Sequence, residues 1–136
     1  MGDEMTDTER LLAELEIPNL VARYCHEYDQ ARVEGYCALY APDGEFRTPD
    51  KTARGLDEIR EKVAAGAATA APAQHVTYNT AIQLGDDGRA KGWSDFMYVH
   101  AGAENTISIV GRYVDDFVIH EGQWKFRRRI VEFVAR

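Results

Sequence analysis

The second half of the chain alternates apolar and polar residues through four strand-like segments, roughly 74–84, 89–101, 105–119 and 123–135, and nothing else limits the fold as strongly. Three turn signals separate them: Asp86-Asp87-Gly88, Ala101-Gly102-Ala103 and His120-Glu121-Gly122. Turns this short force neighbouring strands antiparallel, so the segments predict a meander. Strands of about eleven residues exceed the usual length, and long antiparallel strands twist and curl. Helices laid against the inner face of a curled sheet enclose a pocket. The pattern therefore predicts an α+β architecture. A strongly curved antiparallel sheet and three N-terminal helices enclose the pocket, in one domain over 1–136.

The first half supplies the helices. Thr6-Asp7-Thr8-Glu9 is a capping-box pattern, in which Thr6 and Glu9 each satisfy a free backbone group. Leu11, Leu12, Leu15, Val21, Tyr24 and Tyr28 recur at threes and fours and predict one buried stripe. Pro18 falls within this run and predicts a kink or a fresh helix start. A second short helix is expected over Val33 to Tyr40, stopped by Ala41-Pro42-Asp43-Gly44, with a short strand at Glu45 to Thr48. A third helix is expected over Leu56 to Ala68, with Ile59 and Val63 inward. Gly66 to Ala73 carries little apolar bulk and reads as a mobile loop.

Composition narrows the partners. The formal charge of −7 repels phosphate backbones and argues against nucleic acid. The basic cluster Lys125, Arg127, Arg128 and Arg129 reads as a solvated or ion-paired face. No apolar run approaches the roughly 20 residues of a membrane span. The acidic start does not resemble a secretory signal, and Asp3 and Glu4 argue against acylation at Met1-Gly2. Cys25 and Cys37 lack CxxC or His-paired metal spacing and read as buried thiols in a reducing, cytoplasmic setting.

No GxGxxG, GxxxxGK, GxSxG or HExxH occurs, so nucleotide, zinc and nucleophilic-serine chemistry find no support in the sequence. What remains is a set of ionisable residues that a pocket could share. Asp29 ends the first helical stripe, beside Tyr24 and Tyr28. His75 opens the first long strand, on the alternating face of Thr77, Asn79 and Ala81. His100 closes the second, alternating with Tyr98, Phe96 and Ser94. An acid and an imidazole facing one apolar cavity can transfer a proton, the carboxylate fixing the tautomer and stabilising the imidazolium. Singly, an aspartate at a helix end ordinarily caps or solvates, and a strand histidine is ordinarily half-buried and hydrogen-bonded. Sequence spacing alone does not bring positions 29 and 75 together.

Three segments of the chain resemble SnoaL-like proteins of the nuclear transport factor 2-like superfamily. They are IPNLVARYCHEYDQARVEGYCALYAPDGEF (Ile17 to Phe46), QHVTYN (Gln74 to Asn79) and TISIVGRYVDDFVIHEGQWKFRRR (Thr106 to Arg129). The nearest resemblance is to the branch of scytalone dehydratase, bile acid 7α-dehydratase and hexachlorocyclohexane dehydrochlorinase, which perform cofactor-free elimination with an Asp–His pair. Asp29 and His75 match that pair. Tyr24, Tyr28, His100 and Arg129 match further residues of one or another member. The chain departs from the branch in two places: Phe46, Arg47 and Thr48 occupy the region where the dehydratases carry a tyrosine, and Tyr113 replaces a late asparagine of scytalone dehydratase.

The resemblance implies a cone-shaped fold and a lyase without cofactor or metal. Asp29, His75, Tyr24 and His100 are its expected catalytic residues. Tyr28, Arg129, Phe96 and Tyr113 are expected to bind a small, largely apolar or ring-shaped hydroxylated substrate, with Arg129 on its polarised oxygen. An isomerase or polyketide-type cyclase with the same base is the alternative, and a non-catalytic ligand-binding or oxygenase small-subunit-like module is another. By analogy with the fold, a homodimer or higher homo-oligomer is expected.

Overall fold

The computed structural model describes residues 4–134. Helix α1 spans Asp7–Asp29, α2 Val33–Cys37 and α3 Gly55–Thr69; strands β1 (Tyr40–Arg47) and β2 (Thr52–Arg54) lie between α2 and α3. The long strands follow as β3 (Ala73–Leu84), β4 (Arg89–His100), β5 (Thr106–His120) and β6 (Gln123–Phe133). They form the expected antiparallel meander, within one six-stranded sheet of order β2-β1-β6-β5-β4-β3. The sheet is curved and unclosed, with β2 and β3 at its edges. It is mixed, because β1 runs parallel to β6. Met1-Gly2, Asp3 and the last residue of the fourth strand-like segment, Ala135, lie outside the described residues.

The capping box is present: Glu9 N–H donates to Thr6 Oγ1 at 3.1 Å, and Thr6 N–H donates to Glu9 Oε1 at 3.0 Å. The helix it starts continues through Pro18 to Asp29 without a break. Its buried stripe is Ala13, Ile17, Leu20, Val21, Tyr24 and Cys25, whereas Leu11, Leu12 and Leu15 face solvent. The buried positions step by threes and fours from Tyr24 back to Ala13; the three leucines sit off that line, so hydrophobicity alone misplaced the stripe.

Two further boundaries differ from the sequence expectation. The second helix ends at Cys37, because Tyr40 enters the sheet opposite Phe126, and Phe126 N–H donates to the Leu39 carbonyl at 2.9 Å. Ala41-Pro42-Asp43-Gly44 is accordingly an irregularity inside β1, where the register against β6 shifts between Tyr40 and Glu45. A Cβ on Gly44 would stand 2.8 Å from the Ala41 carbonyl oxygen, so glycine is required there. The third helix spans Gly55–Thr69, within a residue of its expected bounds, so the loop expected from Gly66 begins only after Thr69. Its alanines are strong helix formers and extend the helix despite their small bulk.

Bulges curve the sheet and re-aim side chains. In β3 the pairing with β4 shifts between Tyr78 and Ala81, and Asn79 adopts a left-handed conformation (φ 56°). The inward face therefore changes parity, from Ala73, His75 and Thr77 to Ile82 and Leu84. Asn79 and Ala81 do not share the face of His75. A second shift, between Tyr98 and Val99 against β5, leaves Ser108 unpaired in the ladder.

Candidate active site

The inner faces of α1, α3 and the sheet enclose a cavity of about 280 Å³. Tyr24, Tyr28, His75, Phe96 and Tyr113 form its aromatic wall, and Phe46, Thr48, Lys62 and Val63 line it from β1 and α3.

Asp29 and His75 are in direct contact. Asp29 Oδ1 lies 2.6 Å from His75 Nδ1, and Asp29 Oδ2 accepts the backbone N–H of His75 at 2.9 Å. Both side chains are well shielded, at 15% and 10% exposure. The edge position of β3 explains the second bond. His75 N–H points away from β4 and has no ladder partner, so a helix-borne carboxylate serves it. A carboxylate at a helix C-terminus otherwise meets the unfavourable end of the macrodipole, which these two donors offset. With Nδ1 held as donor, Nε2 is the free acceptor. His75 lines the cavity and Asp29 does not, which puts the carboxylate behind the ring and the free edge toward the cavity.

Aromatic rings fix the imidazole. Tyr98 lies 4.6 Å from it between ring centroids, Tyr28 4.8 Å, Tyr24 6.1 Å and Phe96 6.3 Å. Burial pushes the Tyr28 hydroxyl above its ordinary pKa, reinforced by Tyr98 and Asp29, and pushes Tyr98 up likewise with Asp29 adding. Both phenols are thus proton donors at neutral pH. Tyr24 is fully buried, and desolvation pushes it up to about 12. Its hydroxyl takes part in a network with Tyr36 and Tyr113, and Tyr36 and Tyr40 share a hydrogen bond of 2.9 Å.

Besides Asp29, two expected site residues stand outside the cavity. His100 Nε2 lies 2.9 Å from Ser108 Oγ at the open end of β4, beyond Tyr98. Arg129 is completely buried, its Nε and Nη2 donating to the Asp115 carboxylate at 2.9 and 3.1 Å. The guanidinium carbon sits 3.5 Å from the Tyr113 ring centroid, 4.1 Å from Tyr24 and 4.6 Å from Phe126. Burial acts to lower the Arg129 pKa, but Asp115, Tyr113 and Tyr24 more than offset it, so the group remains a cation. Tyr24 and Tyr113, which line the cavity, stand between it and Arg129. Its Nη1 has no partner among the described residues.

The sequence reading missed Lys62, Thr48 and Phe46 as wall residues. A signal was available: Lys62, Val63 and Gly66 occupy one side of α3 at i, i+1 and i+4. Gly66 matters for Tyr28, because a Cβ there would stand 2.9 Å from the Tyr28 hydroxyl oxygen. Gly66→Ala is expected to hold or raise the melting temperature, since alanine favours the helix by about 0.5–1 kcal/mol. It should also displace Tyr28 and weaken binding of an aromatic probe such as 4-nitroaniline. Unfolding and binding measured on the same protein separate the two effects; unchanged binding would mean that Gly66 does not shape the cavity.

Among the described residues no cluster of three or more His, Cys, Asp or Glu is arranged to hold a metal ion, and no helix is long and apolar enough to cross a membrane.

Comparison with known proteins gives a consistent pattern. The model of the SnoaL-like domain family matches residues 9–130. No curated protein matches the chain. A protein of unknown function from Mycobacterium tuberculosis superimposes with a TM-score of 0.87 at 27% identity, over 95% of this chain and 76% of that one. A candidate scytalone dehydratase from Novosphingobium aromaticivorans gives 0.83 at 27% identity, over 96% and 89%. A candidate aromatic-ring-hydroxylating dioxygenase β subunit from the same organism gives 0.81 at 16% identity, over 93% and 92%, a likeness of fold alone.

Proposed function

The chain belongs to the SnoaL-like domain family, and from that premise we propose that it is a cofactor-independent lyase that removes water from a small hydroxylated ring compound. The observation that carries this reading is the Asp29–His75 pair, hydrogen-bonded at 2.6 Å with the free imidazole edge toward an aromatic cavity. The similarity to a candidate scytalone dehydratase, at 27% identity, supports the same reaction class.

In the proposed reaction His75 Nε2 takes a proton from the carbon next to a carbonyl. The C–H electron pair forms the new C=C bond of an enolate, and Asp29 stabilises the imidazolium. The enolate then collapses and expels the β-hydroxyl, which receives a proton from the imidazolium, directly or through Tyr28. Water leaves and His75 is neutral again. A positioned base contributes about 10²–10⁴ in rate, and exclusion of water with hydrogen bonds to developing charge supplies the remainder.

The test is incubation with a panel of ring-shaped β-hydroxy ketones in deuterated water, following conjugated product by absorbance and mass. Elimination that His75→Gln slows by about 10²–10⁴ is expected. Deuterium exchange without loss of water would replace the lyase reading by an isomerase. Equal rates for wild type and His75→Gln would reject His75 as the base.

A further inference from the structure

Lys62 is the feature of the cavity that neither the family resemblance nor the proton-transfer pair accounts for. It projects from α3 one turn before Gly66 and lines the same cavity as His75. Its ammonium donates to Thr48 Oγ1 at 2.9 Å and lies 5.6 Å from the centroid of the Phe46 ring. Thr48 in turn donates to Asp50 Oδ1 at 2.7 Å, so the rim carboxylate is engaged by a hydroxyl. That hydrogen bond is the main reason the Asp50 pKa lies below its ordinary value, and the charge of Lys62 lowers it further, without a direct ion pair between the two. Among the described residues Lys62 forms no salt bridge, whereas Arg129 is tied to Asp115 and walled off by Tyr24 and Tyr113. An ammonium carries three protons, and one hydrogen bond is made to Thr48. A half-buried cation beside an aromatic ring, with donors to spare, is suited to an oxygen that bears negative charge.

We propose that Lys62 is the anion-recognising residue of this cavity, and that the natural substrate presents an ionised or ionising oxygen to it. The catalytic consequence rests on the reading of His75 as base. When the C–H electron pair moves into the substrate, the carbonyl π pair moves onto oxygen, and the enolate charge develops at Lys62. The substrate class is then an enolisable carbonyl compound, bound with its oxygen at α3 and its acidic carbon at His75. Thr48 and Phe46 position the ammonium.

The experiment measures binding alone, with 4-nitrophenol in mildly alkaline buffer, where it is ionised, against the neutral 4-nitroaniline of nearly the same outline. Wild type is expected to bind the phenolate more tightly than the aniline. Lys62→Met should weaken phenolate binding about tenfold or more while changing aniline binding less than about twofold, and Lys62→Arg should retain most of the difference. Lys62 is half-buried at the rim, and the aniline titration reports whether each variant keeps its cavity. No preference for phenolate in wild type, or equal effects of Lys62→Met on both probes, would overturn the proposal. Neither probe gives a proton on carbon to His75. Failure here therefore leaves the base assignment standing, and failure of elimination leaves the anion site standing.

Discussion

Asp29→Asn is expected to lower turnover by about 10²–10⁴ while leaving the fold intact, because it puts the imidazole proton on the wrong nitrogen. Asp29 accepts two hydrogen bonds, one from the backbone N–H of His75 and one at Nδ1. Asparagine offers one acceptor oxygen in place of two. The backbone N–H can only donate, so the amide oxygen stays with it and the amide NH2 meets Nδ1. Nδ1 then accepts, the ring proton moves to Nε2, and the edge that faces the cavity becomes a donor. Nitrogen chemical shifts of His75 read this exchange directly. Wild type should show Nδ1 protonated and Nε2 bare, and the variant the reverse. A variant with wild-type shifts and wild-type elimination would show that Asp29 merely anchors the edge of β3. Wild-type shifts with lost elimination would instead mean that the negative charge, and not the tautomer, is what His75 needs.

Asp115→Ala is expected to give the largest loss of stability in the chain, about 3–5 kcal/mol, because it leaves the Arg129 guanidinium charged, buried and without a carboxylate. Two of its three nitrogens lose their acceptor, and the third has none among the described residues. Three aromatic rings within 4.6 Å hold the cation but accept none of its N–H bonds in the plane of the group. Replacing the pair together, as Asp115→Leu with Arg129→Met, should restore most of the loss, since apolar groups of similar size often substitute for a buried ion pair without penalty. Urea unfolding of the three variants tests this. A single variant within about 1 kcal/mol of wild type would mean that water reaches the guanidinium.

Arg129 also shows where the family resemblance and the tertiary structure divide. The resemblance assigned it to the substrate oxygen. The side chain lies behind Tyr24 and Tyr113, where its contact is with the aromatic wall. Lys62, which the sequence reading passed over, is the cation that lines the cavity among the described residues. Lysines on an amphipathic helix ordinarily face solvent, and only the packing of α3 on β1 turns this one inward.

What the sequence by itself determined is local. Alternation at period two and three turn signals determined the four long strands and their antiparallel order, because a short turn leaves no other geometry. Thr6 and Glu9 determined the start of the first helix through groups three residues apart. The tertiary structure decided everything that depends on distant partners. The parallel contact of β1 with β6 drew Tyr40 out of the expected second helix. The bulge at Asn79 changed which residues share the face of His75, and packing against the sheet chose Ala13 and Ile17 over the leucines. Asp29 meets His75 across 46 residues because β3 is an edge strand whose N–H lacks a neighbour, and α1 ends beside it. Alternation carries no record of which strand is an edge, so that meeting exists only in the folded chain.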